Sequence, residues 1–295
     1  MKPTFILTAD IHIRSDIPTC RTDDYWEAQE KKIAWLKELQ AKHNCPILNA
    51  GDLLDKFRSS PHLEAWAIQN LPKILTIVGN NHDMPYNNIK YLNRGSLWVL
   101  KSSGVIDILD GYDTFKDILL FGSHFNFDKI PEINLPEGNF KKKIAMLHMM
   151  VSKDGEIQNS HSGTSLLKKL PQFDLIVTGH NHQSFVCEYQ GRVLINPGSM
   201  MRMFADQVEE SPKVYLWNED GTYEPASYPY ESGVISRAHI IKKEKRTETI
   251  ESFVAKMKKD SCVEFSYEKN MENFIKKNKL SRSIINKISE AMEVI

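Results

Sequence analysis

The chain has 295 residues, which is enough for one large hydrophobic core and a smaller appendage. Lys and Arg together number 38, as do Asp and Glu, so the net charge gives no argument for a strongly basic nucleic-acid binder. The four cysteines are scattered without a Cys-x-x-Cys pair, which excludes a disulfide framework and a zinc knuckle. The N-terminal residues reach Asp10 too early for a signal peptide, and no apolar stretch approaches membrane-spanning length. We therefore expect a cytoplasmic protein without a membrane anchor.

The first part of the chain alternates short apolar runs with amphipathic segments. Strands are predicted at Phe5–Thr8, Pro46–Asn49 and Lys73–Val78, because buried parallel strands are largely apolar throughout. Helices are predicted between them at Asp23–Asn44 and Leu63–Asn70, where apolar residues recur near helical spacing. Strand, helix, strand, helix, strand is the order of a parallel α/β layer.

After Leu97, short strand candidates follow one another with turns between them, which predicts a second, mixed sheet packed on the first. The candidates are Trp98–Leu100, Val105–Ile108, Ile118–Phe121, Ile144–Leu147, Leu175–Thr178, Phe185–Glu188, Val193–Asn196, Val214–Trp217 and Tyr223–Ser227. The chain is therefore predicted to belong to the α/β class, with two sheets.

A change of composition near Glu231 predicts two domains, 1–230 and 231–295, because basic residues outnumber acidic ones in the second range. Within it, Met271–Ile295 has apolar residues at helical spacing. We predict a pair of amphipathic helices there, the second capped by Ser281. Their apolar stripe fits either packing on the protein's own core or docking of a partner.

Side chains that bind divalent cations follow several of the predicted strands. They are Asp10, His12, Asp52, Asn80, Asn81, His82, His148, His180 and His182. Carboxylate, imidazole and amide groups gathered at strand ends suit a pair of divalent cations. Two such cations close together are a common device for breaking phosphate esters, so the pattern predicts an enzyme.

The spacing of these residues is informative. Asp10 and His12 are two residues apart, so on an extended chain both side chains project to one face; a polar strand end is the alternative. The two oxygens of Asp52 can bridge two cations, and a helix N-cap is the other interpretation. His180 and His182 repeat the two-apart spacing. A lone histidine is more often structural, but five histidines at strand exits favour a shared metal site.

These blocks resemble those of the calcineurin-like metallophosphoesterases. The motifs Asp-x-His, Gly-Asp, Gly-Asn-His-Asp/Glu, a lone His and Gly-His-x-His occur in this order between roughly residues 4 and 200. The resemblance implies a four-layer αββα sandwich of two mixed sheets, with the cations at the carboxyl ends of the strands. A small C-terminal α+β appendage completes the expected fold.

The resemblance also implies two cation sites, which share Asp52. One would use Asp10, His12, Asp52 and His182, and the other Asp52, Asn81, His148 and His180. His82 would steady the phosphate or protonate the leaving oxygen, so His82 and Asp52 are the candidate catalytic residues. Oxygen and nitrogen ligands favour manganese, with magnesium, iron and zinc also open. Asn80 stands where the family has glycine before Asn-His; we assign Asn81 as the ligand and keep Asn80 as the alternative.

Within the family, three features are similar to the nuclease subunit of the bacterial and phage SbcC–SbcD complex. They are Gly51-Asp52-Leu-Leu-Asp55, Asn196-Pro-Gly-Ser-Met-Met-Arg202 and the helical tail. The similarity implies a manganese-dependent DNA exonuclease and endonuclease in DNA recombination and repair, with an SbcC-like ATPase of the SMC type as partner. It also implies a homodimer through the early helices around Trp35 and Trp66.

Further residues are candidates for contact with DNA. Lys242 and Lys243 with their basic neighbours, and Lys141–Lys143, offer salt-sensitive attraction to phosphates; solvated surface charges are the alternative. His124 and Asn126 follow a predicted strand and are candidates for lining the substrate cleft, although His124 fits a structural role equally well. Two other functions stay open: a stand-alone phosphatase or phosphodiesterase acting on small or protein phosphates, and a scaffold of the same fold without activity.

Overall fold

In a computed structural model, which describes residues 2–260 and 267–292, the chain divides into two compact units. The first is Met1–Ser236 and the second is Arg237–Ile295. The division falls a few residues after the position predicted from composition. None of the helices that the structure describes has the length and apolar character needed to cross a membrane.

The first unit contains fourteen described strands and four α-helices. The strands are β1 (Phe5–Thr8), β2 (Ile47–Asn49), β3 (Ile74–Thr76), β4 (Ile106–Ile108), β5 (Gly111–Phe115), β6 (Ile118–Ser123), β7 (Lys142–His148), β8 (Val151–Ser152), β9 (His161–Ser162), β10 (Leu175–Gly179), β11 (Phe185–Tyr189), β12 (Arg192–Asn196), β13 (Lys213–Trp217) and β14 (Tyr223–Ser227). The helices are α1 (Tyr25–His43), α2 (Pro61–Asn70), α3 (Ser96–Ser102) and α4 (Gly163–Lys169), with 3₁₀ turns at Pro85–Asn87, Ile89–Arg94 and Gln207–Glu209.

Two six-stranded mixed sheets form the centre of this unit. The first has the order β14-β13-β1-β2-β3-β4, in which β1 to β4 are parallel and β13 runs antiparallel to β1. The second has the order β11-β12-β10-β7-β6-β5, in which the four inner strands are parallel and both edge strands are antiparallel. A short parallel pair, β8 and β9, stands apart.

Side chains on alternate positions of the strands divide the core into three layers. On β1, Ile6 packs with the apolar faces of α1 to α3, whereas Phe5 and Leu7 pack between the two sheets. On the far face of the second sheet, Leu166 and Leu167 of α4 complete a third cluster. The order of layers is helix, sheet, sheet, helix, so the predicted αββα sandwich is confirmed.

Polar side chains set the ends of the early helices. Asp24 accepts a hydrogen bond from the backbone N–H of Glu27 and so begins α1. Asn44 ends α1 with a left-handed backbone, φ 45°, a conformation that asparagine tolerates well. Ser60 caps α2 by accepting from the backbone N–H of Leu63. These caps place β2 and β3 parallel to β1, as the sequence predicts.

One local prediction is wrong, and one strand was not predicted. The predicted strand Trp98–Leu100 lies inside α3, where Leu97 and Leu100 are buried three residues apart while Trp98 and Val99 are exposed. A short apolar run is compatible with either element, and packing on the first sheet selects the helix. Strand β5 was not predicted because its middle residues are exposed and mostly polar, as is typical of an edge strand.

The described residues of the second unit form helices and short connections. It contains α5 (Ala238–Asp260), α6 (Tyr267–Asn278) and α7 (Arg282–Met292). The described part therefore holds helices where an α+β appendage was expected, and α5 was not predicted. Helix α7 begins directly after Ser281, as predicted, and the expected helix end at Ile295 lies outside the described residues.

Candidate metal centre

The carboxyl ends of five parallel strands meet at one place between the two sheets. Asp10 and His12 follow β1, and Asp52 follows β2. The second sheet contributes His148, the last residue of β7, and His180, which follows β10. β7 and β10 pair directly, with Gly179 opposite His148. Contacts of Asp52 with His148 and of Asp10 with His180 bring these ends against those of β1 and β2, and a bond from Asn80 to Asp52 adds the end of β3.

The first group of ligand atoms surrounds His12. Its Nε2 atom lies 3.8 Å from Oδ1 of Asp10 and 3.7 Å from Oδ2 of Asp52. Nε2 of His182 lies 3.8 Å from the same oxygen of Asp10 and 3.1 Å from Nε2 of His12. Both oxygens of Asp10 also accept the backbone N–H of His180 at 3.0 Å. Asp10, His12 and His182 could therefore hold one cation.

The second group shares Asp52 with the first. Oδ2 of Asp52, which faces His12, also lies 3.4 Å from Nε2 of His148. One ligand atom each from Asp52, His148 and His180 lie within 4.8 Å of one another. The carboxylate of Asp52 therefore stands between the two groups, in the position that a bridging ligand requires.

The charge distribution fits a cation at this position. Nδ1 of His148 contacts the carbonyl oxygen of Ala50 at 2.7 Å, so it donates there and its Nε2 is left for the cluster. This Nε2 is buried and has no hydrogen-bond partner among the described residues. Burial alone lowers the pKa of His148, but the carboxylates of Asp52 and Asp10 outweigh this effect and raise its pKa to about 9. In turn, the nearby imidazoles lower the pKa of Asp52, although burial acts in the opposite direction. The group attracts positive charge, as a metal centre must.

The remaining histidines present neutral imidazoles. Burial lowers the pKa of His12 well below its ordinary value, and burial together with nearby His148 lowers that of His180. Burial lowers the pKa of His182 to about 4. A neutral imidazole has the lone pair that a metal needs, so these side chains are in the ligand form at neutral pH.

The structure brings Asn80 into the cluster and leaves Asn81 outside it. Asn80 is buried, its Nδ2 lies 3.2 Å from Nδ1 of His180, and its backbone N–H donates to Oδ1 of Asp52 at 3.1 Å. Asn81 is exposed. This corrects the preference for Asn81. Asn80 follows Gly79 directly, as the asparagine of the family motif does. The additional residue, Asn81, is accommodated in a tight turn, because Oδ1 of Asn80 accepts the backbone N–H of His82.

Four of the clustered residues have left-handed backbones, which are uncommon outside glycine. The φ angles are 49° for Asp10, 48° for His12, 51° for Asp52 and 86° for His180. The expectation that Asp10 and His12 sit on an extended chain is therefore wrong, since β1 ends at Thr8 and the chain turns at both residues. Strain of this kind concentrates at functional sites, where surrounding contacts hold it.

Two glycines allow the loops to approach this closely. A Cβ atom on Gly79 would overlap Oδ1 of Asp52, and one on Gly51 would overlap Nδ1 of His148. Gly51 also has φ 96°, which side chains rarely adopt. Both positions therefore require glycine for the ligand loops to meet.

His82 lies beside the first group. Its Nδ1 donates to the carbonyl oxygen of Asp55 at 2.5 Å, and its ring lies edge-on to that of His12 at 4.6 Å between centroids. Because Nδ1 is engaged, Nε2 is the atom available to handle a proton or a phosphate oxygen. Asp55, which was not predicted to be a site residue, places its carboxylate 3.9 Å from Nδ1 of His12 and 3.1 Å from Arg14.

Asp83 is a further buried carboxylate that was not predicted. It accepts backbone N–H groups from Leu53, Leu54 and Gly79, and so joins the loop after β2 to the loop after β3. Burial and the nearby charge of Asp52 raise its pKa to about 6, against the effect of these hydrogen bonds. Asp83 belongs to the motif Asn-His-Asp, but only the fold shows that its carboxylate holds these two loops together.

Two of the predicted substrate-binding residues, His124 and Asn126, make their hydrogen bonds outside the cluster. His124 accepts the backbone N–H of Val78 through Nδ1, and its Nε2 lies 3.5 Å from Asp110, so both nitrogens serve the fold. Asn126 is exposed and its carbonyl oxygen accepts the backbone N–H of Lys129. Lys242 and Lys243 are exposed on α5 in the second unit.

Comparison with known proteins identifies the family. Residues 3–184 match the family model for calcineurin-like phosphoesterase. The chain belongs to this family, whose members are phosphoesterases that use divalent metals. The coarse identification made from the motifs is therefore confirmed.

Individual relatives are more distant. A DNA double-strand break repair protein, Mre11 from Methanocaldococcus jannaschii, is 25% identical over 204 residues, which are 62% of this chain and 52% of the relative. The chain thus spans about half the length of that protein.

Among solved structures, an archaeal phosphodiesterase is 17% identical, with a TM-score of 0.40 over 76% of this chain and 98% of that one. A 5'-nucleotidase from Staphylococcus aureus is 15% identical, with a TM-score of 0.43 over 79% and 54%. A Vps29 from Entamoeba histolytica is 11% identical, with a TM-score of 0.36 over 76% and 97%. These similarities are weak, and no substrate follows from them.

Proposed function

We propose that the chain is a metal-dependent phosphodiesterase that cleaves DNA. The observation that carries this proposal is the position of the Asp52 carboxylate, which faces His12 of one ligand group and His148 of the other. Two cations in such a site supply Lewis-acid activation of the phosphate and of the attacking water. The similarity to Mre11, named for DNA double-strand break repair, supports DNA as the substrate.

In this proposal each side chain has a defined task. Asp10, His12 and His182 would hold one cation, and Asn80, His148 and His180 the other, with Asp52 belonging to both ligand sets. His82 binds a phosphate oxygen or protonates the leaving oxygen through Nε2, since its Nδ1 is held by Asp55. All ligand atoms are oxygen or nitrogen, which favours manganese over metals that prefer sulfur.

Two wider proposals rest on the sequence resemblance to the nuclease subunit of the SbcC–SbcD complex. The chain would act as the nuclease subunit of a complex with an SMC-type ATPase in recombination and repair, and it would form a homodimer. We propose that the helical unit Arg237–Ile295 contacts the ATPase, because Phe274 and Ile284 on α6 and α7 expose 55% and 47% of their surfaces. We expect the full chain to capture a large coiled-coil ATPase. A variant with charged residues in place of Phe274 and Ile284 should not capture it.

The main test compares wild type with His82→Ala in the presence of manganese. Wild type is expected to degrade linear DNA, and loss of the proton-handling group should reduce the rate by about 100-fold to 10,000-fold. Metal content, measured by calorimetry, should be the same in both proteins. Hydrolysis of p-nitrophenyl phosphate without any cleavage of DNA would refute the nuclease and favour a phosphatase. Failure of wild type to bind manganese would favour an inactive scaffold.

A further inference from the structure

Two exposed phenylalanines flank the metal-ligand cluster. The ring of Phe204 is stacked on His182, with 5.5 Å between centroids and 27° between planes, yet 53% of the residue is exposed. On the side of the second ligand group, Phe125 contacts the rings of His180 and His148 at 5.6 Å and 6.1 Å. Phe127 packs on Phe125 at 5.6 Å and is 64% exposed. Solvent-exposed aromatic rings therefore stand beside both ligand groups.

The fold holds these rings outward. Phe127 and Asp128 have φ angles of 49° and 57°, an unfavourable conformation for a bulky residue such as phenylalanine. The strain is held in place because Asp128 accepts two hydrogen bonds, from the backbone of Met150 at 2.6 Å and from His161 at 2.8 Å. An exposed apolar side chain on a strained, well-anchored backbone beside a catalytic centre indicates a ligand-binding role.

The loop of Phe204 is anchored in a similar way. The side-chain oxygen of Gln207 accepts the backbone N–H groups of Met203 and Phe204 at 2.7 Å and 3.0 Å. Gln207 in turn donates to the hydroxyl of Ser199. The position of the Phe204 ring is therefore set by buried hydrogen bonds, although half of the residue faces solvent.

A third aromatic group lies close in sequence to His82. Tyr86, with φ 55° and 67% of its surface exposed, packs on Phe57 and Tyr91. The guanidinium of Arg94 lies 4.7 Å from the centre of the Tyr91 ring. Aromatic faces combined with cations are the usual means of binding unpaired nucleotides, because every base has a π face and every phosphate a negative charge.

We propose that Phe127 and Phe204 are nucleobase-stacking residues, so that the substrate is an unpaired DNA strand whose bases lie on either side of the cleaved phosphate. The proposal rests on the nuclease function proposed above and adds the form of the substrate. Bases in a paired duplex are stacked on one another and cannot present a face to these rings. The two rings are separate, each beside its own ligand group, which favours individual bases over the continuous apolar patch that docks a protein.

The test measures binding and cleavage with matched strands. Fluorescein-labelled oligothymidylate and an abasic strand of the same length are titrated in EDTA, so that no cleavage occurs, and then digested with manganese. Removing one stacked base reduces affinity about tenfold to one-hundredfold, so wild type is expected to prefer oligothymidylate by that factor. Phe127→Ala and Phe204→Ala should each reduce the preference, whereas Trp98→Ala, which removes an exposed aromatic ring on α3, should leave it unchanged.

Conservative variants separate stacking from apolar contact. Phe204→Tyr and Phe127→Tyr should retain the preference, and Phe204→Leu and Phe127→Leu should each reduce it, because leucine has volume but no π face. Equal behaviour of the leucine and tyrosine variants would overturn the proposal, because it would show that the π face is not what binds the base. Manganese affinity, measured by calorimetry, should be unchanged in every Phe127 variant because this ring does not contact a ligand.

The outcomes distinguish this proposal from the proposed function. Cleavage of both strands at equal rates, with equal binding, would leave the nuclease intact and overturn base stacking. A preference for oligothymidylate in EDTA without cleavage in manganese would support base stacking and refute the nuclease.

Discussion

Replacing Lys32 by methionine is expected to remove a pH-dependent loss of stability. Lys32 is 3% exposed, and its Nζ donates to the carbonyl oxygen of Met200 at 2.6 Å. Among the described residues no carboxylate forms a salt bridge with it, although Tyr228 offers a ring face at 5.8 Å. Burial, and then the charges of Arg21 and Arg202, lower the pKa of Lys32 to about 7 from 10.5.

The sign follows from proton binding in the two states. Between the folded pKa of about 7 and the unfolded value of 10.5, the unfolded chain binds more protons at this site. The free energy of unfolding therefore rises with pH in this window and is independent of this group below it. For a shift of this size, the free energy of unfolding rises by roughly 2 kcal/mol from pH 7 to about pH 9.

The assay is urea unfolding of wild type and Lys32→Met over that pH range. Methionine does not titrate, so the difference between the two free energies should change by about 2 kcal/mol, with wild type gaining as pH rises. Loss of the bond to Met200 adds a constant of about 1–3 kcal/mol that does not depend on pH. A difference that stays constant over the range would refute the reasoning and indicate that Tyr228 and Met200 keep the ammonium charged.

Three further predictions concern the metal centre. Asn80→Ala should weaken manganese binding about 10-fold to 100-fold by calorimetry, whereas Asn81→Ala should leave it unchanged; the opposite result would restore the original assignment. Gly79→Ala should displace Asp52 and lower both manganese affinity and thermal stability, since its methyl group overlaps the carboxylate; unchanged affinity would contradict the geometry. Manganese at about 100 times its dissociation constant should stabilise wild type by about 2.7 kcal/mol in thermal unfolding, and chelation should reverse this. Asp52→Ala should not respond, and an equal response would exclude this site.

The sequence predicts that the ligand residues lie close together, because runs of apolar residues indicate where the strands end. Once β1, β2 and β3 are parallel neighbours, Asp10 and Asp52 must meet at their carboxyl ends. The pairing of β7 with β10 then brings His148 and His180 together. The sequence pattern gives the positions of these strands, whereas the pairing of β7 with β10 was not predicted and is a finding of the structure.

The remaining features depend on tertiary packing. The choice between Asn80 and Asn81 is decided by which side chain is buried, and neighbouring identical residues give no local signal. Asp55 and Asp83 lie within recognisable motifs, but their contacts with Arg14 and with the backbone of Leu53, Leu54 and Gly79 form only when the loops meet. Trp98 lies in a helix because the first sheet buries Leu97 and Leu100 on one side, which a three-residue window does not reveal.

The hydrogen bonds of Asp83 bear on how the site responds to loss of its ions. Since this carboxylate holds the amides of Leu53, Leu54 and Gly79 without using any metal-facing atom, the loops after β2 and β3 are preorganised. Little ordering entropy is then lost when ions enter, and the ion-free protein keeps its geometry. Slow hydrogen exchange at the amides of Leu53 and Leu54, equal with and without metal, would be the signature of this rigidity.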